Sequence, residues 1–254
     1  MAATSLALDP DVLLSRSGGR RWLLSQTVLL AAVAALLLLV FENSRLDLDL
    51  SGRLYDPALG DFPLHHYWLF EQVLHRGMKY ASYVLVGIGM VPCWLGWKGE
   101  LAWLPRRNAL LAALGMVLIP IGTSLLKSAT NRHCPWDVIE FGGFAPYLGL
   151  LVPGPEGIKA GACFPAGHAA AGFLWLVWAV ALRPAGRGWA RAALALGLLL
   201  GSGLGFVRIL QGAHFLSHVF WSAWFAWAFS LALAALVRAD LSLPERRTAL
   251  RPEA

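Results

Sequence analysis

Charge is what this sequence has least of. Only 14% of its 254 residues are Asp, Glu, Lys or Arg, against about a quarter in an ordinary soluble domain. Hydrophobic residues supply 57%. A soluble core does not absorb several separate apolar runs of roughly 20 residues, the length that crosses a bilayer. The sequence predicts an all-α integral membrane bundle of six spans, at about residues 22–41, 80–97, 108–126, 168–182, 192–207 and 215–237. The fourth is short unless it begins inside the polar stretch before it.

Other absences narrow the function. No Asp, Glu, Lys or Arg stands at the centre of any span. Ionisable groups at bilayer depth mark proton relays and ion paths, so a pump or channel is disfavoured. The net charge is +6, but the cations are not gathered in one patch. They flank the apolar runs, which is a membrane-topology pattern and excludes nucleic acid as the expected partner. There is no internal repeat. The first apolar run is longer than the roughly 7–15 residues of a signal-peptide core and reads as a retained anchor. Of three cysteines, Cys93 lies within the second span and reads as a small apolar residue.

Arginine and lysine mark the N-terminus (Arg16, Arg20, Arg21), the 98–107 loop, the 183–191 loop and the tail after 237. These alternate with an acidic loop at 42–79, a long loop at 127–167 and a short connection at 208–214. The positive-inside rule then places residues 1–21 and 238–254 in the cytoplasm, with 22–237 as the membrane domain. The end of the acidic loop, at 67–74, is aromatic and amphipathic, the pattern of a short interfacial helix. Trp221, Trp224 and Trp227 share one face of the last span, a packing or lipid-facing stripe.

Lys127, Arg132 and Arg208 fall on the non-cytoplasmic side, against that rule, so they need another purpose. Four histidines accompany them: His133, His168, His214 and His218. Several cations beside a helix start suit a phosphate group. Pro165 is suited to a first helical turn, and Gly167 permits close backbone approach to an anion. Metal binding is the chemical competitor, because His214 and His218 are four residues apart. No Glu follows His214, so the zinc-protease pattern His-Glu-x-x-His is missing.

These residues resemble the type 2 phosphatidic acid phosphatase superfamily, whose members include lipid phosphate phosphatases. Its three motifs read Lys, six residues, Arg-Pro; then Pro-Ser-Gly-His; then Ser-Arg, five residues, His, three residues, Asp. Lys127 and Pro135 match the ends of the first. Pro165, Gly167 and His168 match the second, and Arg208 and His214 match the third at its spacing. The likeness covers about residues 108–237. It implies that His214 is the nucleophile, forming a phosphohistidine, and that His168 is the general acid. It further implies that Lys127, Arg208 and Gly167 hold the phosphate, with no metal and no other cofactor.

Four positions depart from the pattern. Cys134 stands for the first motif's Arg, leaving Arg132, two residues earlier, as a possible phosphate ligand. Ala166 stands for the Ser of the second motif, and Val207 for the Ser of the third. His218 stands for the Asp that would orient His214; His218 itself, Asp137 or Glu140 are the available substitutes. Cys134 and Cys163 share one loop. In an oxidising compartment they are expected to pair as a disulfide; in a reducing one they are two thiols.

The expected activity is that of a metal-independent lipid phosphate or pyrophosphate phosphatase working at the non-cytoplasmic, periplasm-facing side of a bacterial inner membrane. The alternatives are a lipid phosphotransferase using the same intermediate, a weakly catalytic phospholipid-binding member, or a transporter or structural membrane protein.

Overall fold

A computed structural model describes residues 10–244. They form eight α-helices joined by loops and short helical turns: α1 (Pro10–Glu42), α2 (Leu46–Gly52), α3 (Met78–Lys98), α4 (Arg106–Ala129), α5 (Gly167–Phe173), α6 (Leu176–Ala181), α7 (Arg187–Leu210) and α8 (Leu216–Leu236). A π-helical segment, Leu69–Gly77, leads into α3. Among the described residues there is no sheet, only the isolated bridges Asp56–Asp61 and Val138–Ala145.

Among the described residues, five helices are long and apolar enough to cross a membrane: 18–42, 80–98, 106–129, 187–210 and 216–236. The sixth expected span is different. Residues 167–181 form two short helices, α5 and α6, broken at Leu174–Trp175. At 1.5 Å per residue this pair rises about 22 Å, less than the roughly 30 Å hydrocarbon layer. The shortfall is tolerable because all of Leu176–Ala181 is buried against other helices and does not have to face lipid.

The centre is built from α4, α5, α6, α7 and α8. α4 buries Asn108, Leu111, Ala112, Gly115, Met116, Ile119 and Thr123, a three-to-four spacing that lines one helix face. Against it packs the core around Phe173, Leu174, Leu176 and Val177. α7 presents Gly197, Gly201 and Gly205, all buried. Four-residue spacing of small residues lets backbones approach closely, and α5 and α6 fill that stripe with Gly172, Phe173 and Leu176.

α1 lies outside this centre, with Leu24, Val28 and Leu36 exposed as a lipid-facing surface requires. It docks on α8 through the tryptophan stripe. Trp224 Nε1 donates to Leu30 O at 2.8 Å, Trp227 Nε1 donates to Gln26 Oε1 at 3.3 Å, and Trp22 meets Trp227 edge-on. At the end of the bundle away from the long loop, Asn108 is fully buried. Its Nδ2 donates to Ala181 O and Asp240 O, and its Oδ1 accepts from Asp240 N. That side chain ties α4, α6 and the segment after α8 together. Of the tail expected at 238–254, residues 245–254 lie outside the described residues, as do residues 1–9 of the N-terminal segment.

Candidate active site

The ends of α4, α5, α7 and α8 meet at the face covered by the 130–166 loop. Lys127 lies in the last turn of α4. His168 is the second residue of α5. Arg208 lies in the last turn of α7, and His214 precedes α8 by two residues. Three motifs far apart in sequence thus arrive at one place, because α4, α5 and α7 pack around α8.

His214 is the focus, only 3% exposed. Its pKa lies well below the usual histidine value. Burial is the main cause, and the positive groups of His218, Lys127, Arg208 and His168 add to it. That set contains the key residue of each motif. The imidazole is consequently neutral near pH 7, carrying a lone pair in a cationic pocket.

Arg208 is held on two sides. Its Nη1 donates to Gln211 Oε1 at 2.8 Å, and its guanidinium lies 5.6 Å from the Trp136 ring centre. Gln211 is fully buried, and its Nε2 donates to His65 O at 3.3 Å. Gly167 opens α5, and a Cβ added there would meet no protein atom within 4 Å, so the space before this helix is open to a ligand.

Arg132 is held by its own loop: its Nη2 donates to the carbonyls of Leu150 and Val152. The guanidinium thus ties two stretches of the loop together.

Cys134 and Cys163 are joined as a disulfide, 29 residues apart in sequence, with Cα atoms separated by 5.3 Å. Cys163 is fully buried, and its Sγ lies 3.3 Å from His214 Nδ1. A disulfide sulfur carries no proton, so any hydrogen bond in that contact is donated by the imidazole. Cys134, Cys163 and His214 come close enough to share an ion, but the S–S bond occupies both sulfurs.

None of the expected substitutes for the motif carboxylate hydrogen-bonds to His214. The His218 ring centre is 5.8 Å from that of His214, in an edge-to-face arrangement, and its Nδ1 has no hydrogen-bond partner among the described residues. Asp137 Oδ2 accepts from Cys134 N at 3.2 Å within its own short turn. Glu140 is exposed. His218 lies in the first turn of α8, and His214 lies in the connection just before that helix. A cavity of about 30 Å³ lies behind His218, bounded by Arg132, Asp47, Tyr147 and Trp221. Lys127, His168 and Arg208 are not among its lining residues.

Asp47 was not legible as a site residue. On α2 and only 2% exposed, it accepts hydrogen bonds from Ser217 N at 3.0 Å, Ser217 Oγ, and Tyr147 Oη at 3.3 Å. Ser217 N is a first-turn amide of α8, so Asp47 satisfies one of the open donors of that helix start and places negative charge at its positive end. Burial raises the Asp47 pKa, opposed by the Ser217 and Tyr147 hydrogen bonds. The only hint in sequence was an acid near a span. Gln211 and Trp136 were equally hidden, though Gln211 lies between Arg208 and His214.

A family model described as the PAP2 superfamily matches residues 108–241, the part of the chain that holds Lys127, His168, Arg208 and His214. Among solved structures, the chain is similar to the transmembrane PAP2-type phosphatidylglycerolphosphate phosphatase of Bacillus subtilis, with 19% identity and a TM-score of 0.46, over 85% of this chain and 94% of that one. No functionally curated protein matches.

Proposed function

This chain belongs to the PAP2 superfamily, and on that premise we propose that it is an integral membrane phosphatase that hydrolyses a lipid phosphate or diphosphate through a phosphohistidine on His214. One observation carries the reading: the buried His214 lies where the ends of α4, α5 and α7 bring Lys127, His168 and Arg208, close enough for each to act on its charge. Phosphoryl transfer depends mainly on positioning and on neutralising charge spread over the phosphate oxygens, and this constellation supplies both.

The disulfide gives the nucleophile its orientation. With Nδ1–H turned to the Cys163 sulfur, the proton sits on Nδ1 and the lone pair sits on Nε2. The second ring nitrogen's partner sets the tautomer. A sulfur is a weaker acceptor than the carboxylate it displaces, so it fixes direction while lending less basicity to the ring.

In the reaction, Lys127 and Arg208 bind the phosphate oxygens. His214 Nε2 attacks phosphorus, and the bond from phosphorus to the lipid oxygen breaks. His168 gives a proton to that leaving oxygen. It then takes a proton from water, which attacks the phosphohistidine, breaks the P–N bond and releases inorganic phosphate. The lipid tail remains in the bilayer while its headgroup reaches the start of α5. The alternating Arg/Lys pattern supports cytoplasmic termini and an active site facing the periplasm of a bacterial inner membrane.

The test is phosphate release by purified protein from a panel of lipid phosphates, with chelator present, beside His214→Ala. Activity in the wild type alone, with radiolabel from a phosphorus-labelled substrate trapped on the protein as an acid-labile adduct, is expected. Equal turnover by both proteins removes His214 as the nucleophile. Loss of turnover with chelator refutes the metal-independent scheme, and label recovered on an added lipid acceptor identifies transfer instead of hydrolysis.

A further inference from the structure

Beside the phosphate side lies a second group of side chains that the scheme above does not use. Asp61, His65 and His66 belong to the loop between α2 and the π-helix. One oxygen or nitrogen from each falls within 4.8 Å of the others. His65 Nδ1 is 2.9 Å from Asp61 Oδ1 and 3.2 Å from Oδ2, and His66 Nε2 is 3.6 Å from Oδ2. For comparison, donors on a tetrahedral ion with bonds near 2.0 Å stand about 3.3 Å apart. Both histidines therefore already stand near ligand spacing from the Asp61 carboxylate.

Their supports are buried. Phe62, next to Asp61, is 1% exposed and packs edge-on against Tyr55 and Phe141. The His65 ring stacks on Trp136 at 4.4 Å, and its carbonyl accepts from the buried Gln211. His66 stacks on His65 but its side chain is 80% exposed, so it can turn onto an ion without disturbing the core.

We propose that Asp61, His65 and His66 form a binding site for a borderline divalent cation of the Zn²⁺ type. The donor chemistry selects the class: imidazole suits zinc, nickel and copper, whereas magnesium and calcium favour oxygen ligands. Three protein donors leave a fourth position for water or an anionic oxygen. The ion lies one aromatic ring from Arg208, since Trp136 contacts both His65 and the guanidinium. Its effect is to fasten the 61–66 turn to Trp136, outside the phosphoryl chemistry, so chelation leaves phosphate release unchanged. It takes no part in the phosphoryl chemistry, and the proposal stands independently of the reaction assigned to His214.

The experiment uses the full chain in detergent, with the Cys134–Cys163 bond intact, stripped by chelator and freed of it. Calorimetric titration with Zn²⁺ is expected to give one saturable site per chain, and Co²⁺ to give the visible absorption of a four-coordinate ion. Asp61→Asn and His65→Ala should each weaken binding by more than the roughly 10–100-fold that loss of an outer-shell contact costs. His214→Ala should bind as the wild type does, which separates this site from the group around the cysteines. His66→Gln alters an exposed side chain, so weakened binding in that variant carries the test even if His65→Ala unfolds for want of its Trp136 contact. No saturable Zn²⁺ binding by the wild type, or undiminished binding by both Asp61→Asn and His66→Gln, overturns the proposal.

Discussion

Gly172→Ala should disable this protein without touching a single motif residue. Gly172 lies on α5, four residues after His168, against the backbone of α7. A Cβ added there would stand 2.5 Å from both the Gly201 Cα and the Leu200 carbonyl carbon. Carbon atoms in good contact are about 3.5–4.0 Å apart, so α5 and α7 must separate by about 1 Å. The obstacle is main chain on both sides, and no rotamer change relieves it. Overpacking of this kind typically costs about 1–3 kcal/mol. The catalytic consequence is larger, because α5 carries His168 and α7 carries Arg208. A displacement of about 1 Å in a reacting group costs about 100-fold in rate. The assay is phosphate release from a lipid phosphate in mixed micelles, with thermal unfolding followed in parallel. Gly203 supplies the control: it lies on the same helix as Gly201, but an added Cβ there meets nothing within 4 Å. Gly203→Ala should retain turnover and gain about 0.5–1 kcal/mol from the better helix former. Wild-type turnover in Gly172→Ala would refute the claim that this close approach sets the distance between His168 and Arg208.

Three further outcomes are expected. Asp47→Ala strands the Ser217 amide at the start of α8, at a cost of about 1–3 kcal/mol for that group alone; the midpoint of chemical denaturation should fall and turnover with it, and an unchanged midpoint argues against a capping role. His214 has a folded pKa below its unfolded value, so below about pH 6.5 the unfolded chain binds a proton that the folded chain refuses. Stability should therefore decline as pH drops from 6.5 towards the folded pKa, by up to about 1.4 kcal/mol per pH unit, and the acid limb of kcat/KM should lie below pH 6.5; a stability slope in His214→Gln as steep as in the wild type contradicts this. Reducing the Cys134–Cys163 bond releases a loop of roughly 30 residues, worth about 3–4 kcal/mol in the loop-entropy description, so Tm should drop with reductant, and an unshifted Tm would show that the bond contributes little.

By itself the sequence determined the class of the protein and the order of its chemistry. Runs of apolar residues can only be helices in lipid, because every backbone group there must be satisfied internally. The motif spacing places Lys127, His168, Arg208 and His214 at the ends of such helices. Periodicity likewise found the tryptophan face of α8, though not that it would dock on α1. What only the tertiary structure decided is what stands behind those residues. Asp47 lies 170 positions before Ser217, and no local pattern marks one acid in an acidic loop as the partner of a distant helix start. The sulfur beside His214 Nδ1 depends on how the 130–166 loop folds back, as does the turning of Arg132 onto Leu150 and Val152. The fourth span reads as one short apolar run; that it breaks at Leu174–Trp175 and stops short of a full crossing follows from its burial by α4, α7 and α8. Helix ends are legible because their chemistry is local, and the contacts that orient a catalytic group are not, because they come from wherever the chain returns.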